Sequence, residues 1–216
     1  MPTSLKEIAK QAEQDPKRRF TNLHQHLNRE LLIDSFRRLN KRAARGVDGV
    51  SAARYGEGLE ANVADLLRRV RQGTYRARLV RRRYIQKSNG KLRPLGIPTI
   101  EDKLLQLAVG RILSAVYEQD FLPTSYGYRP KRGAKEAICR LTDEVGKKYS
   151  YVVEADIKGF FDHLDHEWLL RMLNLRIGDG VVKRLIRKWL KAGILMEDGS
   201  VERPEEGTPQ GGLCKA

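Results

Sequence analysis

Apolar residues recur every three or four positions along much of the chain, a spacing that predicts amphipathic helices. The segments with this spacing are about 4–14, 27–45, 52–72, 100–119, 133–147, 166–175 and 180–192. Several begin with a residue suited to capping, such as Ser51, Thr99 or Asp165, whose side chain can accept a hydrogen bond from the first turn. The pattern therefore predicts a chain rich in helices.

Other segments have patterns typical of strands. Residues 78–86 and 91–97 flank an Asn-Gly step, which favours the tight turn of a β-hairpin. Residues 193–203 predict a second hairpin around an Asp-Gly step. The apolar, β-branched run 151–155 predicts a buried central strand that ends at Asp156. Helices combined with antiparallel hairpins predict an α+β fold.

The net positive charge of the chain predicts an acidic binding partner. The 216 residues include 42 Lys and Arg against 27 Asp and Glu, which gives a formal net charge of +15. Residues 66–100 contain eleven of the basic residues and no acid, and residues 121–135 add four more without an acid. Clustered positive charge is typical of a surface that follows nucleic-acid phosphates, and a solvated basic face is the alternative.

Composition also excludes several classes of protein. No apolar run is long enough to cross a bilayer, so we expect neither a transmembrane helix nor a membrane partner. The N-terminal residues are polar and lack the apolar segment of a signal peptide. Cys139 and Cys214 are too few for a disulfide framework or a zinc site. We therefore expect a cytoplasmic protein.

The sharpest chemical feature is Asp156, which precedes a tight turn that leads to Asp162. A carboxylate in this place can hold a hard cation, because Mg²⁺ prefers one or two carboxylates together with substrate phosphate oxygens. Two-metal phosphoryl transfer needs such carboxylates near a basic, phosphate-binding surface. The alternative is that both aspartates only cap local turns.

Six motifs occur in order between about residues 18 and 212, and each alone is weakly specific. They are Arg19-Phe-Thr-Asn-Leu23, Gly46-Val-Asp-Gly-Val50, Lys87-Ser-Asn-Gly-Lys-Leu-Arg-Pro-Leu-Gly-Ile-Pro-Thr99, Ser125-Tyr-Gly-Tyr-Arg-Pro130, Ala155-Asp-Ile-Lys-Gly-Phe-Phe-Asp162 and Gly207-Thr-Pro-Gln-Gly-Gly212. With these motifs the chain resembles the reverse transcriptases encoded by bacterial group II introns, the intron maturases. The resemblance implies the fingers and palm of a right-hand polymerase.

The resemblance also implies roles for single residues around the nucleotide. Asp156 matches the first catalytic aspartate, a ligand of both Mg²⁺ ions, and the carbonyl of Ile157 would contact one of these ions. Phe161 matches the bulky side chain that packs under the sugar and excludes a 2′-hydroxyl, with Phe160 as the core member of the pair. Further positions match residues that bind the dNTP, namely Lys87, Arg93 and Gln210.

The chemistry of the first hairpin agrees with a role in binding a triphosphate. Lys87 and Arg93 are six residues apart across the turn, so we expect them to face each other on paired strands. An Arg fork and a Lys point charge together suit a polyphosphate. A solvated basic hairpin is the alternative.

Nucleic acid would be bound by residues beside the nucleotide site. We expect Arg81, Arg82 and Arg83 to contact the template backbone or bound RNA. Tyr126 and Arg129 could support the template through stacking and phosphate contact, and a packed aromatic cluster is equally compatible with the sequence. The implied partners are an RNA template, a DNA primer, dNTPs and intron RNA.

A short histidine motif completes the list of candidates. His163 and His166 flank a Leu-Asp pair, and no cysteine lies nearby to complete a zinc site. We therefore expect both histidines to be surface or capping residues.

The sequence departs from the family pattern near its end. The family's other two catalytic carboxylates lie in a Tyr-x-Asp-Asp hairpin, and the sequence contains no such motif. We therefore expect a truncated chain with an N-terminal helical extension (1–46), fingers (47–135) and a partial palm (136–216) whose sheet is incomplete. Because one of three carboxylates is present, we expect no polymerase activity from this polypeptide alone.

Two classes of function remain. The first is an RNA-directed DNA polymerase of a mobile element, a nucleotidyltransferase that adds dNTPs to a primer. The second is an RNA-binding maturase remnant that holds intron RNA through its N-terminal helices and basic hairpin without catalysis. A third possibility is that a separate chain supplies the rest of the palm.

Overall fold

The computed structural model describes residues 3–86, 90, 92–149 and 151–208. Helices account for most of these residues, and nearly all lie where the apolar spacing predicts them. They are α1 (Thr3–Gln14), a 3₁₀ turn (Leu23–His26), α2 (Arg29–Arg38), α3 (Ala52–Glu57), α4 (Leu59–Arg71), α5 (Ile100–Tyr117), α6 (Ala134–Lys148), α7 (His166–Arg176) and α8 (Gly180–Leu190).

Four short strands form one small sheet. β1 (Val80–Gln86) and β2 (Leu92–Ile97) make the first hairpin, and β3 (Ile194–Leu195) and β4 (Val201–Glu202) make the second. The two hairpins join because β1 also pairs in parallel with β3, which gives the order β2-β1-β3-β4. Both predicted hairpins and the α+β class are confirmed.

The predicted helix caps explain where several helices begin. The Ser51 hydroxyl accepts a hydrogen bond from the Arg54 amide at 3.2 Å, and the Asp165 carboxylate accepts one from the Trp168 amide at 2.8 Å. The Thr99 hydroxyl accepts the Asp102 amide at 3.2 Å. Each cap satisfies an amide that has no partner inside its own helix.

Two helices differ in extent from the prediction. The helix predicted over 27–45 ends at Arg38, because Lys41 folds back and donates to the Phe36 carbonyl. The Lys41 ammonium also lies 3.2 Å from the centroid of the Phe36 ring. The helix predicted over 52–72 is divided at Gly58 into α3 and α4.

The predicted central strand over 151–155 is wrong. This segment has no strand partner among the described residues, and its side chains face solvent, with Tyr151 91% and Val153 93% exposed. A strand is stable only when a neighbour satisfies its backbone and a layer covers its apolar face. Neither condition is met here by the described part of the chain.

The core forms where α1 and α2 pack against α5 and α4 packs against α2. α5 contributes Leu104, Leu105 and Ile112, which are fully buried. Each fully buried side chain of this size stabilises the fold by about 1.5–3 kcal/mol. Although α5 is long and apolar, none of the described helices meets the requirements for crossing a membrane.

The N-terminal segment is tied to the far end of α7. Phe20 exchanges two backbone hydrogen bonds with the 176–178 segment, each 2.7 Å long. The buried guanidinium of Arg176 donates to the carbonyls of Asp15 and Arg18 and pairs with Asp120 at 2.9 Å. Residues about 160 positions apart are thereby held together.

The buried carboxylate of Asp102 connects α5 to the start of the first hairpin. It accepts hydrogen bonds from the Tyr75 hydroxyl, from the Thr99 hydroxyl at 2.8 Å and from the Arg78 amide at 3.2 Å. Tyr75 in turn accepts a 2.8 Å hydrogen bond from the Trp189 indole on α8. Burial raises the pKa of Asp102, and the hydrogen bonds from Tyr75, Thr99 and the Arg78 amide act in the opposite direction.

Replacing this carboxylate tests its structural role. We expect Asp102→Ala to lower the free energy of unfolding by about 2–4 kcal/mol, because it leaves several buried donors without an acceptor. Asp143→Ala, which removes an exposed carboxylate on α6, is the control and should change stability by less than about 0.5 kcal/mol. Urea unfolding measures both, and equal effects would contradict the assignment.

Candidate functional site

The first hairpin and the turn after Asp156 meet in a small cleft. Arg82 and Pro94 line it from the hairpin, and Asp162, Gly207 and Thr208 line it from the opposite side. The remaining lining residues, which include two further carboxylates, are Ile194, Glu202, Pro204 and Glu206. Its volume is about 140 Å³. The cleft therefore brings together three of the sequence motifs, which are far apart along the chain.

The opposite side of the cleft is built from two segments that bond backbone to backbone. The Thr208 amide donates to the Phe161 carbonyl at 2.7 Å, and the Gly207 amide donates to the Leu164 carbonyl at 2.8 Å. Gly207 has a φ of +78°, and a Cβ there would lie 2.5 Å from the Asp162 carbonyl oxygen. Only glycine fits this approach without moving the backbone.

His166 also holds the Gly207 segment against the start of α7. The expectation that His166 is a surface or capping residue is therefore wrong. It is buried at the start of α7, and its Nε2 lies 2.7 Å from the Gly207 carbonyl oxygen. His163 remains exposed and lies 3.2 Å from a carboxylate oxygen of Glu206. Only the spacing of the two histidines was visible in the sequence, and it gave no sign of this partner 41 residues away.

Asp156 and Ile157 are both exposed in the structure. The described residues contain no group of three His, Cys, Asp or Glu side chains that could hold a metal ion by themselves. One exposed carboxylate with a neighbouring carbonyl does fit a hard cation whose other ligands are water and substrate phosphates. The chemistry of the donors is therefore compatible with a divalent metal shared with a substrate.

The two phenylalanines differ from the predicted arrangement. Phe160, expected in the core, is 47% exposed, whereas Phe161 is partly buried. Phe161 packs edge-on against Phe160, with centroids 5.3 Å apart, and edge-on against Tyr128 at 6.4 Å. The Tyr128 contact holds the Phe161 ring beside the loop that carries the Ser-Tyr-Gly-Tyr-Arg-Pro motif.

The three arginines of β1 have different surroundings. Arg82 lines the cleft, and Arg83 forms an exposed ion pair with Glu197 at 3.0 Å. The Nε atoms of Arg81 and Arg82 are buried and have no hydrogen-bond partner in the described part of the chain. Because side chains alternate along a strand, Arg82 lies on one face of the hairpin and its two neighbours lie on the other.

The register of the hairpin differs from the one expected for the residues that would bind the triphosphate. Arg93 has Ile85 as its cross-strand partner, so the expectation that it faces Lys87 directly is wrong. Arg93 lies on the same face as Arg81 and Arg83. Lys87 and Gln210, the other residues expected at the dNTP, lie outside the described residues.

Tyr126 and Arg129, which were expected to bind nucleic acid, make contacts within the loop over 120–132 instead. Arg129 is buried, and its guanidinium donates to Glu118 and to the carbonyls of Leu122 and Ser125 at 2.7–2.9 Å. A phosphate could reach Arg129 only if these bonds broke, so the structure gives this residue a role in shaping the loop. Tyr126 stacks under Arg132, whose guanidinium carbon lies 5.6 Å from the ring centroid.

Comparison with known families gives one match that covers most of the chain. Residues 85–214 match the family described as reverse transcriptase (RNA-dependent DNA polymerase). The chain is 37% identical over 211 residues to the group II intron-encoded protein LtrA of Lactococcus lactis subsp. cremoris, and 37% identical over 172 residues to the protein YkfC of Escherichia coli K12. The resemblance to group II intron reverse transcriptases is confirmed.

These alignments cover different shares of this chain and of its relatives. The LtrA alignment covers 97% of this chain and 35% of LtrA, and the YkfC alignment covers 78% of this chain and 45% of YkfC. The chain thus spans about a third of LtrA. A partial Cas6-RT-Cas1–Cas2 complex contains a similar fold, with a TM-score of 0.55 and 20% identity over 89% of this chain and 32% of that one.

A glycine substitution tests whether the two segments of the cleft need their close approach. We expect Gly207→Ala to be more destabilising than Gly199→Ala, because both force a side chain onto a positive φ but only Gly207 meets the backbone. Gly199→Ala should cost about 1–2 kcal/mol for the positive φ alone. Urea unfolding of both variants gives the comparison, and equal losses would contradict the close packing.

Proposed function

We propose, because this chain belongs to the reverse transcriptase family, that it supplies the fingers and the first part of the palm of an RNA-directed DNA polymerase. The N-terminal helical extension would comprise 1–46, the fingers 47–135 and the partial palm 136–216. The complete reaction would be attack of a primer 3′-hydroxyl on the α-phosphorus of a dNTP.

The cleft between the hairpin and the turn carries this proposal. A cationic side chain, Arg82, lies there opposite the turn that leads from Asp156 to Asp162. A polymerase needs a basic surface along its template and a carboxylate at the metal, close to one another. The hairpin and the turn are the segments of this chain that could meet both requirements.

Asp156 would hold the metal, with the carbonyl of Ile157 as a second oxygen. When bound, Mg²⁺ supplies charge stabilisation at the reacting phosphate, and two ions are used in two-metal phosphoryl transfer. Asp156 is exposed, so its carboxylate can reach an ion that the substrate phosphates bring with them. A second ion would need further carboxylates besides Asp156.

Phe161 would select the sugar. Its ring is held by Phe160 and Tyr128, so it cannot easily turn aside for a 2′-hydroxyl. The hydrogen bond from the Thr208 amide to the Phe161 carbonyl connects it to the segment that leads to Gln210. Arg93 and Lys87 would bind the triphosphate, and Arg81, Arg82 and Arg83 would bind the template RNA.

A second candidate is a chain that binds intron RNA without catalysis. The observation that favours it is the basic strand β1, where Arg83 is exposed and Arg82 lines the cleft. This candidate keeps the basic hairpin as an RNA surface and gives Asp156 no metal. The second of the following two tests separates the candidates.

The first test concerns the RNA surface that both candidates share. We expect the triple variant Arg81→Gln/Arg82→Gln/Arg83→Gln to bind RNA more weakly and to lower the slope of log K against log salt by up to about 2, or about 0.7 for each lost phosphate contact. Arg184→Gln/Arg187→Gln/Lys191→Gln removes the same charge from exposed positions in and just after α8 and is the control. Fluorescence anisotropy across a salt series measures both variants. Equal weakening by the control would show that net charge alone is responsible.

The second test concerns Asp156 and the metal. In the presence of primer and template, we expect Asp156→Asn to weaken Mg²⁺-dependent dNTP binding by about tenfold or more, because an amide is a poor ligand for a hard cation. RNA affinity should not change. Glu154→Gln alters an exposed carboxylate two residues away and should leave the Mg²⁺ response intact. No Mg²⁺-dependent dNTP binding by the unaltered chain would favour the non-catalytic candidate.

A further inference from the structure

One peptide group connects the start of α7 to the turn that carries Phe161. This peptide joins Gly207 to Thr208, and both of its polar atoms are hydrogen-bonded. The Gly207 carbonyl oxygen lies 2.7 Å from Nε2 of His166, and the Thr208 amide donates to the Phe161 carbonyl at 2.7 Å. Because a peptide group is planar and rigid, an orientation that is set at its carbonyl end also sets its N–H end. His166 is thereby coupled to Phe161 through a single peptide.

The acceptor determines the direction of the His166 hydrogen bond. A carbonyl oxygen can only accept, so Nε2 carries the proton and donates. His166 and Gly207 are both buried. Removing the imidazole would therefore take a donor away from a buried carbonyl, which costs more than the same loss at the surface.

The imidazole is itself held in place by α7. His166 is the first residue of this helix, and Asp165 caps the helix by accepting the Trp168 amide at 2.8 Å. The Asp165 backbone also pairs with Glu206 in an isolated β-bridge, next to the Gly207 peptide. A side chain on a capped helix is positioned more precisely than one on a free loop. His166 therefore donates from a rigid support.

The conformation of Gly207 explains why this peptide needs a fixed donor. Gly207 has a φ of +78°, and glycine populates positive and negative φ about equally well. A rotation of the Gly207–Thr208 peptide would turn the Thr208 N–H away from Phe161. The Gly207 amide bonds the Leu164 carbonyl at 2.8 Å, but this amide belongs to the preceding peptide and does not oppose the rotation. The His166 hydrogen bond does oppose it.

Phe161 is the residue whose position depends on this peptide. Its ring packs edge-on against Phe160 and Tyr128, and both of these partners are exposed. These contacts restrain the ring, whereas the Thr208 hydrogen bond restrains the backbone that carries the ring. Both restraints matter, because a displacement of about 1 Å beside a substrate is enough to change what a site accepts.

We propose that His166 is a positioning residue for sugar selection. Its Nε2–H fixes the Gly207–Thr208 peptide, and this peptide holds Phe161 where a 2′-hydroxyl would clash. The proposal rests on the function proposed above and adds to it a residue that would act without touching the nucleotide. The alternative is that His166 only stabilises the fold, in which case a dNTP and an rNTP would be affected equally.

The first measurement follows the Thr208 amide itself, by hydrogen exchange in NMR spectra of the full chain. We expect His166→Leu, which has no donor, to speed exchange of this amide by about 3–10-fold. His166→Gln should restore most of the protection, because its side-chain amide can donate. The control is His163→Leu, which removes an exposed histidine 3.2 Å from Glu206. Unchanged Thr208 exchange in His166→Leu would overturn the proposal.

The second measurement is the preference for a dNTP over the matching rNTP. In the presence of primer, RNA template and Mg²⁺, we expect His166→Leu to lower the ratio of the rNTP Kd to the dNTP Kd by about 3–10-fold. His163→Leu should leave this ratio unchanged. In a Phe161→Ala background, His166→Leu should no longer change the ratio, because the two residues act in series.

The results separate this inference from the proposed function. If the unaltered chain binds no dNTP with Mg²⁺, the proposed function fails and the selection role of His166 fails with it. If the dNTP binds and His166→Leu weakens both nucleotides equally, the proposed function stands and this inference fails. A ratio that falls equally with and without the Phe161 ring would also overturn it. If urea unfolding shows that His166→Leu does not fold, His166→Asn, whose amide is one bond shorter than that of Gln, replaces it with the same expectations.

Discussion

The buried carboxylate of Asp102 is the interaction on which the geometry of the binding face depends. It joins Tyr75, Thr99 and the amide of Arg78, and through Tyr75 it reaches Trp189 on α8. Arg78 is two residues before β1, so the same carboxylate sets the point at which the hairpin leaves the helical core. A surface made of flexible basic side chains gains affinity when its backbone is ordered in advance, and this network provides that order.

Several motifs that identify the family also pack distant segments of the chain together. The sequence of each motif alone does not predict these contacts. Arg19 of the first motif bonds the Asn174 side chain at 2.6 Å and thereby ties the N-terminal segment to α7. Gly46 of the second permits the close approach to Thr99, and Gly207 of the last permits the approach to Asp162. The motifs therefore assemble the face around the cleft, while the candidate chemistry falls to a few neighbouring side chains.

Local signals in the sequence predicted the helices, both hairpins and the caps at Ser51, Thr99 and Asp165, because each depends on residues within a few positions. The features that the sequence could not predict depend on residues far apart along the chain. His166 looked like a surface residue because its partner, Gly207, is 41 residues away. The apolar run 151–155 looked buried because composition reports what a segment could bury, not whether another segment covers it. The internal contacts of Arg129 could not be predicted either, because a basic residue in a loop is equally compatible with binding phosphate.

The central claim is that the first hairpin and the 204–208 segment, which meet at the cleft, form one nucleic-acid face. Hydrogen–deuterium exchange of the full chain, with and without a primer–template containing RNA, tests it most directly. The account predicts slower exchange on binding in β1, in β2 and at 204–208, with α8 unchanged. Protection confined to α8, with the hairpin unaffected, would contradict it.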